Sequence, residues 1–405
     1  MPRPRARSLA LPLVLALATV IAAVTVAPAP ATAQAPIKIG LLLPYTGPFA
    51  LYGSDIIEPA IRMYLDEIKY MVGNRKIELV IEDDEAKPDV GVTKVRKLVE
   101  RDQVHMVVAT VHSGVAYAIR EYLVRRKVPY IIPLAAARNL TQKDRDRYIF
   151  GVRFAGGQLD APGAWWAYHH LGLRRVLTIG QDYAAPREML LPFTDGFVQL
   201  GGKVVKQIWH PTGTNDFSAY LTEIKALKSE LDAVSPMIFG TDSIRFVQQY
   251  KEFGVGLPIY ANGDVYEQTF LDKMGDAAIG AKTYWHYSPM RETPENKRFV
   301  AQFKGKTGRL PGAFAAQAYT TIQAIVLALK AVDGRAEDKE RFVDALEKVK
   351  FESPAGPFEF DEHHGWRFNV YLQEVKRVGG VLAQYPLGPV IPSVDQYWTL
   401  DRMKK

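Results

Sequence analysis

Cysteine is absent from the 405 residues. Disulfide scaffolds, thiol nucleophiles, iron–sulfur clusters and cysteine-type zinc sites are therefore excluded. The fold stands without cross-links whatever its compartment permits. Signature loops are missing as well. No G-x-G-x-x-G follows the first strand-like run, and no G-x-x-x-x-G-K-[ST] occurs, so a nucleotide cofactor lacks its usual cradle. G-x-S-x-G and H-E-x-x-H are also absent, which removes the nucleophile elbow and the zincin helix. No catalytic residue, metal or cofactor is expected, and nothing supplies a nucleophile with its base. A large charge excess is lacking too. Fifty-one basic residues face 44 acidic ones, a net +7, and nucleic-acid binding usually needs basic residues clustered on one face.

What is present reads as an ordinary globular chain. Hydrophobic residues make up 48% and charged residues 23%, which excludes disorder, collagen and coiled coil for the chain as a whole. The length suggests two or three domains. At the N-terminus, Arg3, Arg5 and Arg7 precede an apolar run from Leu9 to Val26, and Ala31-Thr32-Ala33 then meets Gln34. Basic end, apolar middle and A-x-A site are the parts of a secretory signal. The competing reading is a permanent anchor, since 18 residues is the lower limit for spanning a bilayer. Pro28, Pro30 and the A-x-A site favour cleavage, after Ala33 or Ala35. Removing residues 1–33 leaves 372 and lowers the charge to +4, because that segment holds three arginines and no acids. No second long apolar run occurs, so a soluble periplasmic protein is expected.

The rest alternates strand and helix. Ile37–Leu43 is nearly all apolar and ends at Pro44, as suits a strand buried on both faces. Ile57, Ile61, Leu65 and Ile68 then share one helical face. Further strands are expected at 76–82, 104–110 and 129–133, with helices at 88–101 and 115–126 between them. A second series follows: strands at 176–179, 203–209, 232–239 and 258–261, with helices at 188–200, 217–228 and 243–253. Helices are expected at 295–306, 314–332 and 337–349, then short antiparallel strands over 358–384, turning at Gly365 and Gly379-Gly380. Two successive series imply an α/β protein with two mainly parallel sheets flanked by helices. In such sheets ligands bind beyond the carboxyl ends of the strands, which directs attention to loops 44–53, 111–114, 134–139, 181–186, 240–243 and 262–266.

Several residues on the way invite chemistry. His169-His170 and His363-His364 are the best metal candidates, but helical neighbours point about 100° apart and share an ion poorly; surface or packing roles are expected. Glu82-Asp83-Asp84-Glu85 lies between a strand and a helix and reads as a solvated loop. The loop Pro44–Gly53 carries Tyr45, Phe49 and Tyr52, which suit either surface cover or a pocket wall. His112-Ser113-Gly114 sits at a strand-to-helix corner. Backbone amides at the helix start, with the Ser113 hydroxyl, attract a carboxylate; the plainer role for Ser113 is a helix cap.

The ordered set of loops resembles the type I periplasmic binding proteins, and within them the leucine/isoleucine/valine-binding family of ABC importers. The matching pieces are the Pro44–Gly53 loop, Asp83-Asp84, the 111–114 corner, Pro133–Thr141, Asp182-Tyr183-Ala184, Thr214–Phe217 and Gly356–Asp361, in order across residues 36–385. The resemblance implies two lobes joined by three hinge crossovers, roughly 36–154 with 288–366 and 155–287 with 367–395, and a tail from 396 to 405. The Pro-rich stretch from Pro386 reads as a strap or a mobile end. The resemblance also implies a non-enzymatic, monomeric solute-binding protein whose partners are a small-molecule ligand and a membrane permease. Ser113, with His112 and Gly114, would hold the ligand carboxylate. Tyr52 would cover the ligand, Ala135 would offer a backbone carbonyl, and Phe314 would sit near the side-chain pocket. Asp264 would meet an ammonium, or else pair with a protein Lys or Arg, and Tyr183 and Thr241 would close from the second lobe. Ala136 and Ala185 depart from the amino-acid binders, which place a hydroxyl and an aromatic there. Both changes enlarge the space and leave room for an aromatic carboxylate or an amide. Trp285, His286 and Tyr287 either line the cleft from the hinge or pack beside it. The rival readings are a ligand-sensing domain of the same fold and a secreted hydrolase or lyase.

Overall fold

The computed structural model describes residues 1–2 and 34–404. Contacts divide the chain into two units, 1–34 and 35–405. Nearly all of the expected export signal lies outside the described residues.

The first sheet of the second unit is built from β1 (Ile37–Leu43), β2 (Met71–Val72), β3 (Arg75–Asp83), β4 (Met106–Ala109), β5 (Tyr130–Ile132) and β6 (Ile149–Gly151), in the order β2-β3-β1-β4-β5-β6. All pairings are parallel except the β2–β3 hairpin. Strand β1 shows why the sequence folds this way. Ile37, Ile39, Leu41 and Leu43 enter one core cluster, and Leu42 enters the other. Side chains alternate across a strand, so a strand covered on both faces must be apolar throughout. Gly40 is the position where Leu98 and Val104 crowd the backbone: a Cβ there would lie 3.2 Å from each.

The second sheet begins with β7 (Arg175–Gln181), β8 (Lys203–His210) and β9 (Ala233–Met237), paired parallel in the order β8-β7-β9. A bridge between Val234 and Ile259 leads on to β10 (Tyr260–Asn262) and β11 (Lys282–Trp285). The chain then returns to the first sheet. Helices Pro294–Thr307, Ala313–Ala331 and Lys339–Leu346 pack there, with Tyr319 meeting Tyr64 edge-on at 5.1 Å. Ala313–Ala331 is buried on nearly every side, as its run of apolar residues requires. After a small hairpin, β12 (Lys350–Ser353) with β13 (Gly356–Glu359), the chain crosses once more. β14 (Phe368–Val378) and β15 (Val381–Val394) complete the order β10-β11-β14-β15, both antiparallel additions.

Among the elements not expected from the sequence are β2, β6, β11, β12 and the helix Asp160–His169. The four strands have two to four residues, too few to show a period. The helix is apolar on most sides and has no polar stripe to betray it. The stretch after Pro386 is not a mobile end. It continues β15 as the edge of the second sheet, where proline is tolerated. Beyond it, Trp398 and Leu400 are buried. Gln396 accepts from the Thr141 hydroxyl at 2.8 Å through its side chain and from the Gln142 side-chain Nε2 at 2.9 Å through its backbone carbonyl. The tail thus reaches back to the loop after β5.

A cross-element anchor carries a measurable consequence. Arg75 is 5% exposed and donates to both oxygens of Glu337, at 2.7 and 2.8 Å, and to the Gly334 carbonyl at 2.7 Å. The Arg75 hydrogen bonds pull the Glu337 carboxyl down to about 2. Glu337→Gln is expected to destabilise the chain at neutral pH by about 1 kcal/mol, a small value because Glu337 is solvent-exposed. A depressed folded pKa contributes stability above the unfolded value, 4.5, and loses it as pH falls toward about 2. Thermal melts of both proteins should therefore differ at pH 7 and converge toward pH 2. A difference that persists undiminished at low pH would contradict the assignment.

Candidate functional site

The loops beyond β1, β4, β5, β7, β9 and β10 converge at the carboxyl ends of both sheets. The loop after β1 is tied down first. Asp83, ending β3, accepts the Tyr45 amide and the Thr46 hydroxyl, both at 2.9 Å, and the Glu85 amide at 2.8 Å. Asp84 accepts the Thr110 hydroxyl and the Ala86 amide. Glu82 pairs with Lys94 and Lys97. The acidic run is therefore engaged in shaping loops. It is also less solvated than expected, since Asp84 is fully buried.

That loop delivers Phe49 and Tyr52, both buried, to a narrow cavity of about 20 Å³. Ligand cavities run from roughly 300 to 1,000 Å³, so the walls must part before an occupant larger than water enters. Aromatic walls come from Phe49, Tyr52, Phe154, Tyr183 and Phe239, and aliphatic ones from Val111, Leu134 and Met189. Ala136 and Ala185 line it too, where larger residues would fill it. Asp264 is its only charged lining residue.

Asp264 is 5% exposed and has no Lys or Arg partner among the described residues. Its donor is the Tyr52 hydroxyl, at 2.7 Å. The Gly240 amide in turn donates to the Tyr52 oxygen at 3.2 Å. Gly240 has φ +68°, and a Cβ there would lie 2.5 Å from the Pro48 carbonyl oxygen, so only glycine lets the two loops meet. Burial pushes the Asp264 carboxyl up to about 7, against the Tyr52 hydrogen bond. Burial and the Asp264 charge push the Tyr52 phenol well up as well, so it stays a donor.

A second acid was not singled out in the sequence. Glu267 is fully buried, and its carboxyl meets no side-chain donor among the described residues, with only the Gln268 and Thr269 backbone amides nearby to favour its charge. Burial first, and the facing Asp264 second, raise its carboxyl well above the usual range. Its head lies against Gly312, where a Cβ would fall 1.4 Å from Oε1. Gly312 is thus needed for space, not for an unusual backbone angle.

The sequence-derived candidates occupy different places. Tyr52, Ala136, Tyr183 and Asp264 line the cavity. Phe314 backs its wall, 5.5 Å from the Tyr52 ring and 6.4 Å from Phe154. His112 stacks on Tyr183 at 4.6 Å, and burial holds it down to about 4, so it is a neutral ring near pH 7. A Cβ on Gly114 would lie 2.9 Å from the His112 ring, so Gly114 leaves room for that ring. Ser113 does not cap its helix: His112 occupies the cap position, and no side chain caps it. The Ser113 hydroxyl is buried without a partner among the described residues, beside first-turn amides that have no intrahelical carbonyl to meet. Ala135 packs into the other core cluster, its amide on the Thr110 carbonyl at 3.0 Å. Thr241 opens the helix Thr241–Glu252 and accepts from Arg245 at 3.3 Å, outside the cavity lining. Trp285 and His286 pack against Phe154. Tyr287 donates to Asn296 at 2.7 Å. None of the three lines the cavity. Phe154, Phe239 and Met189 join the wall without having been expected there from the sequence. Phe154 and Phe239 end the stretches after β6 and β9, and Met189 lies one helical turn beyond Ala185, so strand-end and i+4 rules point to them.

The histidine pairs have packing roles. His169 and His170 contact Trp165, and His364 stacks on Phe150 at 4.1 Å. Among the described residues no cluster of three metal-ligating side chains occurs, and no helix is long and apolar enough to cross a membrane.

Comparison with known proteins agrees with this architecture. The family profile described as periplasmic binding protein matches residues 36–380. The chain belongs to this family. It is 28% identical over 350 residues to the Leu/Ile/Val-binding protein homolog 6 of Brucella melitensis, covering 84% of this chain and 88% of that one. A substrate-binding protein of an ABC transporter from Sphaerobacter thermophilus is 37% identical and superposes with a TM-score of 0.81, over 89% of this chain and 99% of that one. Two solute-binding proteins of Rhodopseudomonas palustris, one solved with benzoate and one with 3,4-dihydroxybenzoic acid, are each 30% identical. Their TM-scores are 0.83 and 0.84, over 89% and 90% of this chain and 99% of each of theirs. Family membership makes this a type I periplasmic binding protein of the branched-chain amino acid group, an α/β fold and not an enzyme.

Two outcomes follow from the acids. A carboxyl held at about 7 when folded, against 3.8 unfolded, binds more protons folded than unfolded between those values, so its contribution falls as pH rises through that window. Asp264→Asn keeps an oxygen for the Tyr52 hydroxyl and removes this penalty. Its melting temperature, relative to the parent, should climb from about pH 4 to pH 7 and level off above; a flat difference would refute the shift. Gly312→Ala must displace the Glu267 head and should lower the melting temperature of the ligand-free protein, consistent with overpacking losses of about 1–3 kcal/mol. An unchanged melt would show that Glu267 moves freely.

Proposed function

We propose that this chain is the extracytoplasmic solute-binding component of an ABC importer, exported to the periplasm through residues 1–33. Its ligand is a small aromatic carboxylate, captured by closure of two lobes, 36–154 with 288–366 and 155–287 with 367–395. It acts as a monomer and delivers its cargo to a membrane permease. The observation that carries this reading is the wall composition: five aromatic rings and one acid, with no cationic lining residue. A ring packs well among such walls. Its carboxylate docks at Ser113, just outside the lining of this narrow cavity, where an unpartnered hydroxyl and free helix amides offer neutral donors once the walls part. Asp264 lines the cavity with one oxygen already taken by Tyr52. A ring hydroxyl or amine is what its other oxygen would accept.

The alanines at 136 and 185 favour an aromatic acid over an α-amino acid, since the polar and aromatic contacts that grip an amino acid are absent. Relatives 30% identical were solved with benzoate and 3,4-dihydroxybenzoic acid. Lobe closure removes water, and each polar contact strengthens in the drier cleft. The ligand favours the closed form only through the contacts it gains there.

Fluorescence titration tests this, with Trp285 lying 5.5 Å from Phe314 as reporter. Benzoate, 4-hydroxybenzoate, 3,4-dihydroxybenzoate, benzamide and L-leucine form the panel. Saturable binding of the aromatic acids is expected, with L-leucine at least about tenfold weaker, since tenfold corresponds to one charged hydrogen bond. Ser113→Ala should weaken every carboxylate by about tenfold. Asp264→Asn should narrow the gap between hydroxylated and plain benzoate. No response from any aromatic acid, or preference for L-leucine, would overturn the reading.

A further inference from the structure

One buried cation and one carboxylate of the facing layer play no part in the cavity, yet they act on each other through space. Arg153 follows β6 and is 1% exposed. Its Nη2 donates to the Ala137 carbonyl at 2.9 Å, but Nε and Nη1 have no partner among the described residues. A buried guanidinium without a carboxylate is an unbalanced charge. The acids that act on it through space are Glu188 and Asp361. Glu188 belongs to the helix Ala184–Gln199, which follows β7 of the second sheet. It reaches over to the first. Its Oε1 accepts the Tyr117 hydroxyl at 2.6 Å, and its Oε2 accepts the Arg138 backbone amide at 2.9 Å. The Asn139 amide donates to the same Tyr117 oxygen at 3.3 Å, which orients that hydroxyl. Gly156 leaves room for this side chain: a Cβ there would lie 3.0 Å from Glu188 Cβ and 3.1 Å from Oε2.

The placement matters. Tyr117 stands one turn into the helix that begins at Ser113, and Glu188 stands little more than one turn into the helix that begins after Tyr183. The two helices start at the site and are tied together just behind it. Neither residue lines the cavity.

We propose that Glu188 is a closure latch, a positioning residue that binds the Tyr117 hydroxyl and the Arg138 amide across the cleft in the field of Arg153, and so sets how long a captured ligand stays without touching it. The latch rests on the two-lobe closure reading above. Glu188 meets donors of the opposite lobe, so opening breaks both bonds and returns the carboxylate to water. Charge-assisted bonds are the strong ones, and contacts made only in the closed form, with or without ligand, favour closure and act on dissociation more than on association.

Stopped-flow fluorescence with benzoate is the test. Glu188→Ala should raise the dissociation rate about tenfold or more while the association rate changes less than about threefold. Glu188→Gln retains one acceptor and should fall between Glu188→Ala and the parent. Tyr117→Phe should add little once Glu188 is already alanine, the non-additivity expected of one shared interaction. Small-angle scattering on the ligand-free chain gives a second readout. There Glu188→Ala should increase the radius of gyration, whether or not benzoate binds. Failure of the parent to bind any aromatic acid would sink the ligand assignment alone, leaving the scattering result to judge the latch. Dissociation within twofold of the parent, or additive effects of the two substitutions, overturns the proposal. If benzoate does not bind, an unchanged radius of gyration overturns it.

Discussion

A carboxyl buried among aromatic rings needs a donor, and for Asp264 that donor is the Tyr52 hydroxyl. Much of the site follows from this contact. The two residues lie 212 positions apart, on loops that leave different sheets. Their meeting requires the loop after β1 to be held by Asp83, and it requires glycine at 240 so that Pro48 and Phe49 can pass. Since Tyr52 satisfies only one oxygen, the acid retains capacity toward the cavity. The low dielectric that raises its pKa also strengthens any hydrogen bond offered to it. An acceptor left facing the cavity and the instability of the ionised acid are two results of the same burial.

The doubly covered parallel sheets explain why the site lies where it does. In the first sheet, β1 is flanked by β3 and β4, so the chain leaves β1 and β4 on opposite sides and opens a crevice between their carboxyl ends. The second sheet repeats this around β7, flanked by β8 and β9. Facing the two crevices encloses a chamber without devoting any strand to its walls. The aromatic residues sit on loops and helix starts, where they can vary without disturbing either core. Glu267 and Glu188 show another use of the facing surfaces. Each carries a carboxyl to the other layer, one against Gly312 and one onto Tyr117 and Arg138. Both side chains thus bridge the facing layers beside the chamber.

Periodicity made long elements legible. β1 is an unbroken apolar run, and Ala313–Ala331 is apolar on nearly every side, so both were expected close to where they lie. β6 and β11 escaped because three or four residues carry no period. The acidic run 82–85 was expected to be a solvated loop, but its shielding comes from Tyr45, Thr46 and Thr110, which reach it only once the sheet has formed. Ser113 could be placed at a helix start, yet only coordinates show that its hydroxyl is left unpartnered instead of capping.

The amino-acid order by itself determined the α/β class, the two strand–helix series, and the loops that had to carry a site. Local propensity and alternation act over a few residues and are written into neighbouring positions. Only the tertiary structure decided which of those loops meet, that Asp264 takes Tyr52 and no basic residue as its partner, and that Glu267 and Glu188 reach across to the facing layer. Those outcomes depend on contacts between residues tens to hundreds of positions apart, where burial and distance set the charge state, and no local pattern encodes them.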